Sequence, residues 1–333
     1  MKKTIYFSIG FFLAFVSCSE DFPINAPGNQ EPVVYGLFDP QDSTILVRLT
    51  KTFIGLESAE VLAKNPDNLY YDHAEVRLDI NSEEGYPVTS YTFEKVLLPD
   101  KPDGIFAKSP NYAYALQGPL DLFFIDGFQI RLLIRIPDDS LLLSAQQTYY
   151  SPPEITSPKA NSRTHFGLYQ TEAPRIKWTD KYGFQRYVLV IRFNYLNRYE
   201  DHEQSAHFDV SYSHNSLVIS KEQNPGVILH IFEGDDFLRL IGNGVPADPA
   251  IINRSFTSID LLLTGLSKEY CDYEETSQIV SDRMGKPVTN IVGGLGLFAL
   301  QVKTEQKGHL LDPASLDSLV NGHYTKKLKF VKY

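Results

Sequence analysis

Short runs in which apolar and polar residues alternate recur along the 333-residue chain and constrain its fold most strongly. In the clearest run, five apolar residues share one face of a predicted strand: Phe128, Ile130, Leu132, Ile134 and Ile136. A period of two residues is typical of a β-strand with one buried face. The polar stretch 137–140 predicts a turn into a second strand over 141–149. The pattern therefore favours antiparallel hairpins over helices.

The rest of the first half repeats this pattern. Residues 33–38 and 44–51 predict a hairpin, because Asp39–Ser43 has the composition of a turn. Further strands are predicted over 74–80 and 86–97. Short strands at this spacing, without a helical period, are typical of an antiparallel sandwich. We therefore predict an immunoglobulin-like or fibronectin-like domain over residues 32–150.

A proline-rich linker, residues 151–158, follows this domain, since three prolines within seven residues cannot pair as a central strand. The second predicted domain, 159–333, is β-rich with short helical insertions at 235–241 and 312–319. Its predicted strands are 175–178, 186–195, 207–212, 227–232, 259–263, 297–303 and a closing edge strand at 326–331. The predicted fold class is mainly β, with two antiparallel β-sandwich-like domains.

The N-terminus has the form of a secretory signal peptide over residues 1–17. Lys2 and Lys3 precede an apolar run from Ile5 to Val16, and Ser17 stands before Cys18. This arrangement resembles a bacterial lipoprotein signal, in which the peptide is cut before the cysteine and acyl chains are attached to it. Two alternatives remain open: a membrane span, although the run is shorter than the roughly 20 residues that crossing requires, and a secreted protein with Cys18 as an ordinary residue.

The residues after the cysteine bear on localisation. Residues 18–31 read as a flexible tether with Pro23, Pro27 and Gly28. Ser19, Glu20 and Asp21 look like the acidic export signal of Bacteroidetes surface lipoproteins. Two acids beside a cysteine can equally be a chance feature of a disordered tether. We therefore expect an outer-membrane, lipid-anchored protein that faces the cell exterior, with a periplasmic orientation as the alternative.

Composition and charge narrow the class of partner. The chain is 43% hydrophobic and 22% charged, as in an ordinary globular protein, and its formal net charge is −10. Such an acidic chain lacks the electrostatic footprint of a nucleic-acid binder. Anionic lipid headgroups would also repel it, so the acyl chains must provide the anchor. With Cys18 acylated, Cys271 has no disulfide partner, and we interpret it as a small buried residue rather than a nucleophile.

Candidate chemical motifs favour structural interpretations. The glycine-rich stretch 292–298 precedes a predicted strand and lacks the lysine of a phosphate loop, so a bulge or tight turn is expected. His202, His207 and His214 lack metal-ligand spacing and are expected on the surface or in loops. No nucleophile elbow or calcium loop occurs. We therefore predict no enzyme activity, metal or cofactor. Tyrosine pairs such as Tyr70–Tyr71 only weakly suggest a ligand surface.

Several segments resemble one uncharacterised outer-membrane lipoprotein family of Bacteroidetes, catalogued as a domain of unknown function. The opening segments are Cys18, Glu31–Gly36 and Val47–Lys51, and the closing ones are Leu266–Tyr270 and Thr289–Phe298. The resemblance implies a β-sandwich lipoprotein, often encoded near TonB-dependent receptors. It provides no catalytic or binding residue.

These observations lead to one functional expectation and two alternatives. We expect a non-catalytic binding or accessory protein that partners a TonB-dependent transporter in nutrient capture. One alternative is a structural or assembly component of a cell-envelope complex, which a large exposed apolar patch would favour. The other is a surface hydrolase, which requires carboxylates or a nucleophile with a base in one cleft.

Overall fold

The computed structural model describes residues 30–55, 57–159, 165–168, 175–218, 220–231, 233–280 and 288–332. The strands are β1 (Pro32–Phe38), β2 (Thr44–Lys51), β3 (Glu75–Asn81), β4 (Pro87–Thr92), β5 (Glu94–Leu97), β6 (Tyr112–Gln117), β7 (Gln129–Ile136), β8 (Leu141–Thr148), β9 (Ile155–Ser157), β10 (Arg175–Asp180), β11 (Arg186–Arg198), β12 (Glu203–Asn215), β13 (Gly226–Ile231), β14 (Asn253–Leu266), β15 (Leu295–His309) and β16 (Phe330–Val331). The helices are α1 (Ala59–Ala63), α2 (Gly234–Gly244), α3 (Lys268–Val280) and α4 (Pro313–Asn321). The prediction of a mainly β protein with antiparallel sheets is confirmed.

A long sheet runs through the molecule in the order β12-β11-β14-β15-β1-β2-β6-β5, with β16 paired to the start of β14. The pairing of β1 with β15 is parallel, from Val33 opposite Leu295 to Phe38 opposite Leu300. The neighbouring pair β1–β2 is the predicted hairpin. Because β1 comes from the first half of the chain and β15 from the second, the two halves share this sheet.

A four-stranded sheet, in the order β4-β3-β7-β8, covers the inner face of the first half of the long sheet. Alternation along the strands points Leu78 of β3 and Ile134 of β7 towards the long sheet, and Val34 and Val47 of the long sheet towards them. All four side chains are at most 1% exposed. Val34, Ile134 and Leu143 of β8 line one narrow gap between the layers. The face predicted over 128–136 is therefore the core of a sandwich.

The second half of the long sheet is covered by a three-stranded sheet, β13-β10-β9, and by α2, and β16 extends the long sheet beside the start of β14. The buried ring of Phe193 on β11 lies 6.2 Å from that of Phe237 on α2 and 5.7 Å from that of Phe330 on β16. Asp312 caps α4 by accepting the N–H of Ser315, with Pro313 in the first turn, as predicted. No helix among the described residues has both the length and the apolar character that crossing a bilayer requires.

The predicted division into domains 32–150 and 159–333 stays a prediction. Within the predicted linker 151–158, the short strand β9 lies at an edge of its sheet, which is where a proline-flanked strand is tolerated. Buried side chains of both halves, such as Leu78 and Trp178, belong to one contiguous apolar cluster.

Two predicted strands are wrong in detail. Residues 86–97 form two strands in different sheets, because the buried side chain of Phe93 enters the core and its N–H donates to the carbonyl of Val76. The closing strand at 326–331 is reduced to β16, since Lys326–Leu328 is a 3-10 helix and Lys329 adopts a left-handed conformation with φ of 61°. The amide of Lys326 donates back to Gly322, which turns the chain as it leaves α4.

Candidate functional site

The outer face of the long sheet is partly open where β1 and β2 lie side by side. Alternation along β2 buries Val47 and Leu49 and turns Leu46 and Arg48 outward. Tyr35 of β1 lies opposite Arg48 and is 40% exposed. A partly apolar sheet face that is left open in this way is a candidate binding surface.

Two walls flank this open face. On one side α3 lies against β15, and the ring centroids of Tyr35 and Tyr273 are 6.3 Å apart. On the other side, backbone hydrogen bonds hold the segments 52–71 and 98–107 together. The N–H of Lys51 donates to the carbonyl of Leu69 at 3.0 Å, and the N–H of Ala107 donates to that of Ala63 at 2.9 Å. The open face is therefore the floor of a groove.

One end of the groove is a cavity of about 400 Å³, here called the basic pocket. Its lining combines apolar side chains with three cations and contains no carboxylate. The lining residues are Val33, Arg48, Thr50, Lys51, Thr52, Phe53, Leu69, Lys101 and Phe106. A mostly apolar cavity with a few polar groups, within the 300–1,000 Å³ range typical of ligand sites, is suited to a small molecule.

A second cavity of about 400 Å³, here called the sheet pocket, adjoins the first at Arg48, which lines both. It lies over the outward side chains of β1 and β2 and reaches β6 and β15. Its lining residues are Tyr35, Leu37, Asp42, Thr44, Leu46, Arg48, Leu98, Ala113 and Gln301. Asp42 is the one carboxylate in this lining, so the pair of converging acids that a glycoside hydrolase uses does not line either pocket.

Aromatic rings lie beneath the cations of this region. The ammonium of Lys101 is 5.5 Å from the ring centroid of Tyr70 and 6.0 Å from that of Phe106. The ammonium of Lys51 is 5.5 Å from the centroid of Tyr71. At these distances the ring faces attract the cations.

Arg48 is held from behind by a buried amide. Its Nη1 donates to Asn111 Oδ1 at 2.9 Å, and Asn111 Nδ2 donates to the carbonyl of Pro99 at 2.7 Å. Among the described residues, neither Arg48, Lys51 nor Lys101 has a carboxylate oxygen within 4.0 Å. Within the part of the chain that the structure describes, the groove therefore presents positioned cations without an ion pair.

The sequence pointed to these residues only in part. Alternation along the predicted strand 44–51 places Arg48 on its outward face, but nothing in the sequence brings Arg48 and Lys101 together. Tyr70 and Tyr71, suggested as a ligand surface, are less than 9% exposed and support the lysines from below. Burial, followed by the charge of Asp139, raises the pKa of Tyr71 to about 12.

The predicted lipidation site Cys18 and the export signal Ser19, Glu20 and Asp21 lie outside the described residues. The glycine-rich stretch lies, as predicted, at the turn where β15 begins. Gly296 has φ of +107°, and a Cβ there would lie 1.9 Å from the carbonyl oxygen of Val34. Side-chain bonds from Asn290 to the backbone of Phe298 close this turn.

The three histidines singled out in the sequence do not lie together. His202 is exposed and stacks on Tyr199, and His207 is exposed on β12. His214 is half-buried, contrary to the prediction, with its ring 5.3 Å from that of His230. Sequence reasoning missed this contact because His230 lies on another sheet. Within the described ranges, no group of three or more His, Cys, Asp and Glu side chains could hold a metal.

Cys271 is buried, as interpreted from the sequence. Its side chain lies on α3 and is 1% exposed. Burial raises the pKa of its thiol, and the neighbouring Arg186 opposes this shift. Arg186 itself is paired with Glu274 at 2.7 Å. A buried thiol with a raised pKa is a poor nucleophile.

The fold and the groove define a mainly β protein with several antiparallel sheets and two adjoining cavities of ligand size. Residues 19–307 match the family described as "Domain of unknown function (DUF4249)", and the chain belongs to this family. The resemblance to an uncharacterised family is thereby confirmed. No curated protein matches the chain significantly.

Among solved structures, the chain is similar to the C-terminal globular domain of an oligosaccharyltransferase from Pyrococcus abyssi. The identity is 10% and the TM-score 0.17, and the alignment covers 86% of this chain and 51% of that chain. The chain thus spans about half the length of that structure. A similarity this distant carries no inference about function.

Proposed function

We propose that the protein is a non-catalytic binding protein of the outer membrane, anchored by acyl chains on Cys18 and exposed at the cell surface. In this proposal it is an accessory to a TonB-dependent transporter and captures a ligand for it. The groove on the long sheet, with two cavities that meet at Arg48, is the observation that carries the proposal. Its mostly apolar lining and its few positioned polar groups are typical of binding sites.

The position of the groove supports a role close to the membrane. Val33, which lines the basic pocket, is the second residue of β1, and the predicted tether 18–31 ends directly before that strand. Fully extended, this tether would reach about 45 Å. The groove would therefore stay within reach of a transporter in the same membrane.

Metabolic labelling tests the anchor. Cells grown with a labelled fatty acid are expected to label the wild-type protein but not a Cys18→Ser variant, and the variant should leave the membrane fraction. Protease treatment of intact cells should degrade the wild-type protein. A protein that survives until lysis faces the periplasm and contradicts surface exposure.

Co-purification tests the partnership. The protein is extracted from native membranes with a mild detergent and isolated by a C-terminal tag. We expect a TonB-dependent receptor in near-equal amount, and an unrelated tagged lipoprotein serves as the control. Recovery of the protein without any receptor, at detergent concentrations that preserve other outer-membrane complexes, would refute the accessory role.

One observation favours the alternative of an assembly component. The edge strand β13 turns a row of apolar side chains to solvent: Val227 is 60% exposed, Leu229 40% and Ile231 53%. Among the described residues, β13 pairs only with β10, which leaves its other edge open to a partner strand. If the protein is an assembly component, Leu229→Lys should abolish its envelope complex. Binding in the groove should persist.

A further inference from the structure

We propose that the basic pocket binds a small amphiphilic anion, an oxyanion headgroup on an unbranched apolar chain. The headgroup would lie at Arg48 and Lys101, and the chain against Phe53, Leu69 and Phe106. This inference rests on the proposed binding function and names its ligand class.

The charge distribution around the basic pocket favours an anionic ligand. The chain carries a formal net charge of −10, yet the lining of this pocket contains three cations and no acid. Other cations of the chain do have carboxylate partners: Arg192 pairs with Asp209 at 2.8 Å, and Lys303 pairs with Asp42 at 2.8 Å. Like charges that share a cavity without a counter-ion repel one another. A bound anion removes this repulsion. The pocket therefore favours anions, although the protein as a whole carries a negative charge.

The positioning of the cations is the second step. A guanidinium has five N–H donors, and among the described residues that of Arg48 meets one acceptor, Asn111. This contact fixes its orientation and leaves donors for an oxyanion. The rings of Tyr70 and Phe106 hold the ammonium of Lys101. Cations positioned in this way lose less conformational entropy when a ligand binds.

The apolar lining is the third step. Phe106 is 53% exposed, and its neighbour Ile105 is 60% exposed. With Val33, Phe53 and Leu69, Phe106 forms an apolar surface beside the cations, in a cavity of about 400 Å³. Burial of an alkyl chain contributes about 0.8 kcal/mol per CH₂ group. A neutral sugar would find few hydrogen-bond acceptors here, since the lining side chains are apolar or cationic except for Thr50 and Thr52.

Calorimetry on the mature chain 18–333 tests the ligand class, with Cys18→Ser so that no detergent is needed. The probes are decanoate and decyl phosphate below their micelle concentrations. Decyltrimethylammonium supplies the same chain with the opposite charge, and acetate supplies the charge without the chain. We expect one decanoate or decyl phosphate per protein and no heat from either control. Binding of one anionic probe alone identifies the headgroup.

Matched variants locate the site. Lys101→Gln and Arg48→Gln are each expected to weaken binding at least tenfold, since a hydrogen bond to a charged group contributes about 1.5–3 kcal/mol. Phe106→Ser should weaken probe binding because the alkyl chain of the probe loses an apolar contact. Lys108→Gln removes the same charge from the same loop, where Lys108 pairs with Asp103 outside the pocket, and should bind as the wild type does. Circular dichroism checks that each variant is folded.

Two outcomes overturn the inference. One is binding of decyltrimethylammonium as tight as that of decanoate, and the other is unchanged decanoate binding in both Lys101→Gln and Phe106→Ser. If the receptor still co-purifies, either outcome removes only the ligand class and leaves the accessory role. Loss of co-purification with intact decanoate binding removes the accessory role alone.

Discussion

Asp39 and Lys303 are 264 residues apart in sequence, yet Asp39 Oδ2 accepts the backbone N–H of Lys303 at 3.0 Å. Asp39 Oδ1 accepts the N–H of Gln41 at 3.0 Å, so this one buried carboxyl closes the β1–β2 turn and fastens it to β15. Burial raises the pKa of Asp39, more than its hydrogen bonds lower it. The structural value of Asp39 therefore lies in its two acceptor positions rather than in its charge.

Replacing Asp39 should loosen this junction. Asp39→Ala leaves two N–H groups without an acceptor, each at a cost of about 1–3 kcal/mol when buried. We expect the free energy of unfolding to fall by about 2–4 kcal/mol, measured by urea titration. The control is Asp42→Ala, which removes a partly exposed ion pair with the ammonium of the same Lys303 and should cost less than about 1 kcal/mol. Equal effects of the two variants would contradict the assignment.

The turn before β15 provides a second test of the same junction. At Gly296, φ is +107° and the space for a Cβ is occupied by the carbonyl oxygen of Val34. Gly296→Ala should therefore push β15 away from β1 and destabilise the fold by about 3 kcal/mol or more. Gly308 also has a positive φ, +81°, but nothing lies within 4 Å of its Cβ position. Gly308→Ala should cost only the backbone penalty of about 1–2 kcal/mol.

Urea titration of these two glycine variants separates the cost of the steric clash at Cβ from the cost of a positive φ. A Gly296→Ala variant as stable as Gly308→Ala would show that β1 can move away at little cost. The pairing of β1 with β15 would then be weaker than the geometry indicates.

Alternation predicted most strands of this protein because the core lies on one face of each of them. It located Thr44–Lys51 and the hairpin of β7 and β8 almost to the residue. Alternation underestimated the lengths of β14 and β15. The terminal parts of these strands are mostly polar on both faces, as around Thr304 and Gln306 at the end of β15. Those residues hydrogen-bond to the carbonyls of Pro153 and Ile155 rather than to solvent.

The pairing of the strands could not be predicted in the same way. Period two tells which face of a strand is buried but not which strand lies beside it. The parallel pairing of β1 with β15 therefore has no local signal. The groove depends on that pairing, since α3 follows β14 in sequence and reaches Tyr35 only because β15 lies next to β1. Arg48 and Lys101 line one pocket because β2, β6 and β5 are neighbours in the long sheet, and these pairings have no local signal either.

Acidification should destabilise the protein through His230. Burial, and then the neighbouring His214, lowers the pKa of His230 from 6.5 to about 4. Between these values the unfolded chain binds a proton that the folded protein does not, so stability is lost as the pH falls from about 6.5 towards 4. Solvent screening leaves an expected loss of about 1–2 kcal/mol over this range.

Urea titrations at several pH values check this prediction. His230→Phe should flatten the dependence between pH 6.5 and 4, because the ring stays while the titrating group is lost. His207→Gln removes an exposed histidine from β12 and should keep the wild-type slope. If His230→Phe keeps the slope as well, the acid sensitivity arises elsewhere.

Arg254 should hold the C-terminal segment in place. Its guanidinium is buried and donates to Asn197 Oδ1 at 2.9 Å and to the carbonyls of Leu328 and Pro246, each at 2.6 Å. Lysine keeps the charge but cannot reach three divergent acceptors from one nitrogen. Arg254→Lys is therefore expected to lower the free energy of unfolding by about 2–4 kcal/mol.

Hydrogen exchange distinguishes a local role of Arg254 from a global one. The amide of Leu328 should exchange faster in Arg254→Lys, whereas amides in β7 should change only as far as global stability does. Arg239→Lys on α2 is the matched control, since Arg239 is exposed and, as far as the described ranges extend, pairs only with Asp236 one turn away. It should leave both the unfolding free energy and the exchange pattern within about 0.5 kcal/mol of the wild type. Unchanged protection at Leu328 in Arg254→Lys would mean that α4 and Phe330 hold the segment without the guanidinium.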